Sequence, residues 1–432
     1  MIRDIPTNYP RSSDYPVDEP FGANQPIAKL SPLVYRTWVE ISQTNLIHNL
    51  NLLKKLSHSD HQKSFKHLVS ATLKSNAYGH GLVEIGRILQ KIDPALWLNV
   101  QSLEEAKILR QNQIYNPILV ISSIFTHELQ NIINLDVRCF LYDFNLAKQL
   151  NELATKKNTQ VKVHLMVDTG MNCQGINPED LIRFIDLLKT CPNLILEGVC
   201  THFSSSDNFD DPAFFQQQQA KFRQIQLQLV DYLGSAAESI IFHANNSGAI
   251  ISNFLRPPTE KLTLPKCPQL VRPGISLYGL LPDPSLGTAG QTRGIGFKPV
   301  LSWKTRLGFI KQIPAGSVIG YGCTHTTTRL TRIGLIPVGY YDGLDRGLSN
   351  QGAVLIAGQK CPILGRICMN LTVLDLTDLN LSDQNLLNQE VVIIGQQGSQ
   401  SISADDLASQ IGTINYEIVA RIRESIPRIV VN

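Results

Sequence analysis

From Thr37 to about Leu281 the chain alternates short apolar runs with amphipathic stretches. HLVSATL precedes VEIGRILQKI, ALWLNV precedes SLEEAKILRQ, NPILVIS precedes ELQNII, and VRCFLYD precedes NLAKQLNELATKK. The order continues through VKVHLMVD and PEDLIRFIDLLKT, LILEGVCTHF and FFQQQQAKFRQIQLQLVDYL, SIIFHANN and finally LVRPGISLYG. A short, wholly apolar run reads as a strand buried on both faces, and the amphipathic stretch after it reads as a helical crossover to the next parallel strand. About eight such units predict an α/β fold, a closed (β/α)8 barrel of the TIM type, over residues 36–281. The glutamines at 216–219 fall inside one helical stretch and read as its solvated face.

After Pro282 a Gly/Pro-rich passage, DPSLGTAGQTRGIGFKP, breaks the pattern. The segments beyond it, VLSWKTRLGFIKQI, TRIGLIPVGYYDG, GAVLIAGQKCPILGRICMNLTVLDL and VVIIGQQG, alternate over short lengths with turns at close intervals. They predict a second, mostly antiparallel β domain over residues 282–432. Near the end, SADDLASQI has helical spacing, and Ser403 with Asp406 forms a capping-box start. Residues 1–35 carry several prolines and charges without an apolar core segment, which predicts a flexible extension and not a signal peptide.

Composition narrows the function classes. A chain of 432 residues, 43% hydrophobic and 17% charged, suits two globular domains. The net charge of +3 comes with mixed signs and no sustained basic block, so nothing points to nucleic acid or an anionic membrane, and the expected partner is a small molecule. No apolar run approaches the roughly 20 residues of a membrane helix. The eight cysteines are scattered without CxxC or metal-like spacing, which predicts reduced thiols, no metal site and a cytoplasmic location.

The candidate chemistry begins in ATLKSNAYGHG, residues 71–81, where Lys74 stands at the junction of a predicted barrel strand and its loop. A lysine there is either a solvated charge or, if desolvated, a nucleophile able to form a Schiff base with an aldehyde, for which pyridoxal 5'-phosphate is the obvious candidate. Such a cofactor needs a phosphate cradle. Tyr78, Ser247 with its neighbour Asn246 in HANNSG, and the backbone N–H groups of Gly274 and Ile275 in VRPGI are candidates, although HANNSG also reads as a helix cap. Arg272, in the same VRPGI stretch, keeps its proton, so it faces either a structural carboxylate or an unprotonated ring nitrogen. His202 in THFSSSD reads as a structural histidine or a neighbour of the site, and Tyr321 in IGYGCT as a hairpin tyrosine or a phenol acting as a base.

Taken in order, KSNAYGHG, VDTGM, THF, HANNSG, VRPGISLYG, the Tyr321-Gly322 pair, IPVGYYDG, GRICMN and GTINYE resemble the alanine racemase family from residue 36 to residue 430. The resemblance implies a pyridoxal phosphate enzyme with an N-terminal barrel and a C-terminal β domain, a homodimer whose active sites are shared between chains, and an amino-acid substrate. It implies that Lys74 carries the cofactor and acts as one acid/base group while Tyr321 of the partner chain acts as the other. It assigns Tyr78, Asn246, Ser247, Gly274 and Ile275 to the phosphate side, Arg272 to the ring nitrogen and His202 to the ring. Tyr340 is assigned to the substrate entrance and the Met369 N–H to the substrate carboxylate. The family's usual lysine two residues before the aspartate of VDTGM is Met166 here, and the arginine two residues after the methionine is Cys173. Asn370 stands where aspartate is usual, and Glu424 lies in a segment that varies. The expected reaction is therefore alanine racemisation. The alternatives are another or broader amino-acid specificity, such as serine, and cofactor binding with little turnover. A decarboxylase of this fold is disfavoured, because it would be expected to place a glutamate where Arg272 stands.

Overall fold

A computed structural model describes residues 35–57, 67–256, 267–291 and 295–432. Most of the expected N-terminal extension, and part of the loop between Phe254 and Gln269, lie outside the described residues. The chain opens with β1 (Thr37–Ser42) and α1 (Gln43–Ser57). Eight strands then close a barrel: β2 (His67–Thr72), β3 (Trp97–Val100), β4 (Ile118–Val120), β5 (Arg138–Leu141), β6 (Val161–Met166), β7 (Leu194–Cys200), β8 (Ile241–His243) and β9 (Gln269–Val271). Every neighbouring pair is parallel, and β9 returns to β2. Between the strands run α2 (Lys74–Tyr78), α3 (Leu82–Ile92), α4 (Leu103–Gln111), α5 (Leu129–Asn134), α6 (Phe144–Lys156), α7 (Leu181–Lys189), α8 (Ala213–Leu233) and α9 (Ser247–Leu255). The expected α/β barrel is what forms, because strands that are apolar on both faces can be covered only by helices outside and by one another inside. Trp97, Leu119, Phe140, Met166, Cys200, Ile241 and Leu270 pack together as one buried cluster, one residue from each of the seven strands β3 to β9.

The second part is a sheet with the order β11 (Phe309–Ile313), β14 (Thr331–Ile336), β17 (Thr372–Asp375), β16 (Gln359–Leu364), β15 (Ala353–Ile356), β18 (Glu390–Gln397), β10 (Leu301–Arg306), β1 and β20 (Arg428–Val431), with β19 (Gln400–Ile402) paired to β18. A separate ribbon joins β12 (Val318–Ile319) and β13 (His325–Thr326). The pairings are antiparallel except β1 with β20. Here the expected boundaries need correcting: β1 belongs to this sheet and not to the barrel, so the segment from residue 36 is shared between the two parts. Its alternation leaves Trp38 almost fully buried, which a period-2 strand does as well in a sheet as in a barrel. The Gly/Pro-rich passage contains a helix, α10 (Pro284–Gln291). Three more helices complete the chain: α11 (Asp383–Leu386), α12 (Ala404–Ile411) and α13 (Asn415–Ala420). The capping box of α12 forms as expected, with Ser403 Oγ accepting from the Asp406 N–H at 3.0 Å and Asp406 accepting from the Ser403 N–H at 2.8 Å.

The two parts meet at the element that carries Lys74. α2 is a single left-handed turn: Ser75, Asn76, Ala77 and Tyr78 all have φ between 54° and 57°. Side chains and backbone groups from elsewhere hold it. Glu105 Oε1 accepts from the Ser75 N–H at 2.6 Å, and Asn76 Oδ1 accepts from the Leu82 N–H at 2.7 Å. Gly79 ends the turn at φ 81°, and a Cβ there would fall 1.9 Å from the Val419 carbonyl oxygen on α13. Arg428 on β20 donates to the Gly79 carbonyl at 2.9 and 3.1 Å and also to the carbonyls of Ile422, Arg423, Glu424 and Ile426. Arg428→Met should therefore leave five carbonyls short of a donor and cost roughly 3 kcal/mol. A shift in the denaturant midpoint measures it, and an unchanged midpoint would contradict this role for Arg428.

Candidate active site

β2 delivers Lys74 to the barrel mouth, and the left-handed turn directs the chain away so that the amine stays largely buried. Burial lowers the Lys74 pKa below the usual lysine value, while the Glu105 carboxylate, a smaller effect, raises it. Burial thereby favours the neutral amine, the form that a nucleophile or base needs.

Around the same rim the sequence candidates converge. Ser247 opens α9 and its Oγ accepts from the N–H groups of Gly274 and Ser276, at 2.9 and 3.3 Å. Gly274 is required for a spatial reason: a Cβ at that position would lie 2.5 Å from the Tyr78 hydroxyl oxygen. Tyr78 packs between Tyr278 and Tyr416, with ring centroids 5.3 and 6.0 Å away. Burial raises its phenol pKa, so it stays a neutral hydroxyl donor. Ile275 begins the turn that follows Gly274 and is fully buried. A hydroxyl, a serine at a helix N-terminus and convergent backbone N–H groups are the kinds of donor that an anion site uses. Asn246 does what its capping reading anticipated: Oδ1 accepts from the Ala249 N–H at 3.0 Å, and its amide donates to the Phe203 carbonyl at 3.1 Å.

Arg272 is 5% exposed and meets no carboxylate among the described residues. It donates to the Thr201 carbonyl at 2.7 Å, to His202 Nδ1 at 3.3 Å, to the Ala244 carbonyl at 3.5 Å and to His243 Nδ1. Burial, then the charges of Arg272 and Lys74, push the His202 pKa down to about 3, so this imidazole is neutral. Arg272 is held by neutral acceptors on one rim of the barrel.

The remaining candidates lie elsewhere in the chain. Tyr321, 74% exposed, stands beyond β12, and on the next residue, Gly322, a Cβ would be 3.0 Å from the Arg366 guanidinium. Met369 and Tyr340 are exposed on neighbouring turns, with the Tyr340 N–H donating to the Cys368 carbonyl at 3.0 Å. Asn370 and Glu424 are exposed too, Glu424 contributing a carbonyl to Arg428. Cys173 is exposed, whereas Met166 is buried with its sulfur 3.5 Å from Cys200 Sγ.

The sequence reading missed several residues. Gln218, expected on a solvated face, is fully buried: it accepts from the Ser204 N–H at 2.9 Å and donates to the His202 carbonyl at 3.2 Å. A polar residue at a core-facing position of α8, three residues after Phe215, was the available signal. Glu105, His164, Glu197 and His243 were also passed over, each a polar group interrupting an apolar pattern. All eight cysteines are unpaired, and no group of metal ligands occurs among the described residues.

Comparison with known proteins assigns this combination of fold and site to a class, the amino-acid racemases. The family models described as "Alanine racemase, N-terminal domain" and "Alanine racemase, C-terminal domain" match residues 41–282 and 300–430. The chain belongs to the alanine racemase family. It is 37% identical over 393 residues to the alanine racemase of Halothermothrix orenii, covering 91% of this chain and 96% of that one. It is 36% identical over 406 residues to that of Leptospira interrogans, covering 92% and 96%. Among solved structures, alanine racemase of Clostridium difficile superposes with a TM-score of 0.79 at 30% identity, covering 92% and 96%. That of Bacillus anthracis with bound L-Ala-P gives 0.79 at 30%, covering 93% and 96%.

Four buried histidines give the site a pH dependence. Burial lowers His80 to about 4, and it lowers His202, His164 and His243 as well. Unfolded, each titrates near 6.5, so between that value and its folded value the unfolded chain binds more protons. This stability is fully present above about pH 6.5 and declines as pH falls, by up to about 1.4 kcal/mol per group per pH unit. Glu197, held at about 2 by His164 and Arg138 against its own burial, adds a loss only below the unfolded carboxylate range. The denaturation midpoint should thus fall steeply between about pH 7 and about pH 5, and a flat profile there would contradict neutral burial of these imidazoles.

Proposed function

We propose that this racemase interconverts L- and D-alanine with pyridoxal 5'-phosphate as its cofactor, in a homodimer whose two chains complete each active site. The observation that carries the reading is the barrel mouth, where a lysine of lowered pKa shares a rim with an anion cradle and a buried arginine. The residues fit the group. Tyr78, Ser247 and the N–H groups of Gly274, Ile275 and Ser276 would take the phosphate, and the glycine at 274 is what lets the Tyr78 hydroxyl come close to those N–H groups. When bound, pyridoxal phosphate supplies an aldehyde that Lys74 captures and a conjugated ring that spreads negative charge from the α-carbon.

The protein's own groups determine the rest. Arg272 has only N–H donors and keeps its proton, so it would hold a ring nitrogen of the cofactor as an unprotonated acceptor, which would leave more of the work to the proton-transferring side chains. Lys74, whose neutral form is favoured by burial, removes or returns a proton on one face of the substrate. Inversion needs a second group on the other face, and Tyr321 of the partner chain is the candidate. Its exposure within one chain, together with that of Tyr340, Tyr341, Met369 and Leu371, supports a face that a second copy covers. Tyr340 would line the entrance and the Met369 N–H would meet the substrate carboxylate. No helix among the described residues is long and apolar enough to cross a membrane, and the unpaired thiols suit a reducing compartment, which supports a cytoplasmic location.

Two experiments test the reading. Borohydride reduction of the purified protein followed by peptide mapping should find the cofactor on Lys74, and Tyr321→Phe should retain it while racemisation falls at least about a hundredfold. Unchanged racemisation in that variant would sink the two-base mechanism, and no adduct at Lys74 would sink the cofactor assignment. The substrate carboxylate poses a second question, since a charged bidentate bond is worth roughly 1.5 to 3 kcal/mol and Cys173 cannot make one. Cys173→Arg alone should raise kcat/KM for alanine less than about tenfold, because Met166 gives the new guanidinium no orienting partner. A larger gain would show that orientation is unnecessary.

A further inference from the structure

Behind Arg272 a line of polar groups runs through the barrel interior. Arg272 meets His243 Nδ1 on β8; His243 Nε2 lies 2.7 Å from His164 Nδ1 on β6; His164 Nε2 lies 3.2 Å from Glu197 Oε2 on β7. Both imidazoles are buried, and the far end is an ion cluster in which Arg138 and Lys162 reach Glu197 at 2.9 and 3.1 Å. Room for the line is built into the backbone. The β6–β7 register shifts between Val163 and His164, and a Cβ on the facing Gly198 would fall 2.3 Å from His164 Nδ1. Trp97 and Phe140 flank the two rings.

The donors in this line have one consistent order. A guanidinium can only donate, so His243 Nδ1 presents a lone pair and the His243 proton sits on Nε2. That proton is given to His164 Nδ1, which places the His164 proton on Nε2, facing a carboxylate that can only accept. Both ends impose the same pair of tautomers. A second proton on either ring would set donor against donor at His243 Nδ1 or His164 Nδ1.

We propose that Glu197 is a positioning residue for Arg272, acting through His164 and His243, whose tautomers it fixes from a separate strand. The tautomer assignment is independent of the cofactor; only its catalytic consequence rests on the function proposed above. With the carboxylate two rings away, Arg272 is held in place while its charge remains unpaired at the barrel mouth. Without an acceptor at position 197, the His164 Nε2–H is left unsatisfied in a dry interior. Moving that proton to Nδ1 opposes the His243 Nε2–H and releases the ring that Arg272 leans on.

The test is two-bond nitrogen–proton NMR on the holoenzyme labelled at histidine nitrogen, with signals assigned by their loss in His164→Asn and His243→Asn. The expected wild-type result is two neutral imidazoles protonated on Nε2, unchanged from about pH 5.5 to about pH 8. A proton on Nδ1 of either ring, or titration within that range, overturns the proposal without any variant having to fold. Glu197→Gln keeps an acceptor oxygen and should keep both tautomers and kcat within about threefold, whereas Glu197→Leu should shift the His164 proton to Nδ1 and lower kcat at least about tenfold with little change in KM. A Glu197→Leu enzyme with unaltered tautomers and kcat also overturns it. If the loaded wild type does not racemise alanine, the function above fails, while the tautomer readings still decide the role of Glu197.

Discussion

The turn after Lys74 is the constraint on which the rest of the molecule depends. Four consecutive non-glycine residues in the left-handed region cost about 1 to 2 kcal/mol each, so the turn persists only because its surroundings leave it no other conformation. Those surroundings come from both parts of the chain. Glu105 satisfies its backbone from the barrel side, the Asn76 side chain ties it to the first N–H of α3, and Arg428 with the α13 backbone closes on Gly79 from the sheet side. A barrel alone would present the same lysine on a loop free to relax into right-handed backbone, with the amine more exposed. The β domain is therefore part of what makes Lys74 a desolvated amine, apart from any group it lends to a second chain.

A related economy governs charge inside the barrel. Arg272 is buried, yet its first partners are carbonyls and neutral imidazoles, and the nearest carboxylate in that direction is reached only through His243 and His164. A carboxylate in direct contact would satisfy the guanidinium and reduce its field at the mouth. Neutral acceptors fix its geometry and leave that field directed outward. The same low-dielectric surroundings depress all the imidazoles in the line, so the arrangement and its protonation state reinforce each other.

The barrel was legible in the sequence because its signal is local: apolar runs of strand length alternating with helical periodicity over some 240 residues need no knowledge of partners. The placement of Lys74, Ser247, Gly274 and Arg272 near strand ends follows from the same local signal. What escaped depends on register or on distant contacts. β1 has the alternation of any half-buried strand, and nothing within TWVEIS says that it pairs with β10 and β20 and not with β2. Gln218 looks like one of four surface glutamines until the helix is rotated onto the His202 loop. The left-handed turn is nearly invisible to propensity, since Ser75, Ala77 and Tyr78 do not favour that backbone, and only Asn76 and Gly79 hint at it. Glu197 reads as one charge in LILEGVC, and its link to Arg272 requires β6, β7 and β8 to be side by side.

The two substitutions near VDTGM illustrate how local chemistry stays consistent with burial. Position 166 faces the barrel interior, where its neighbours are Cys200 and the apolar layer of Trp97, Leu119 and Phe140. An ammonium there would need an acceptor that this layer does not offer, and burying it unpaired would cost several kcal/mol. Methionine fills the space with a sulfur in contact with the Cys200 thiol, and the thioether adapts to an irregular gap at little cost. Once position 166 is apolar, an arginine at exposed position 173 would have nothing buried to orient it, and a cysteine there leaves no unpaired charge behind. The pair therefore forms a self-consistent apolar solution, with neither a buried ammonium nor an unpaired guanidinium to satisfy.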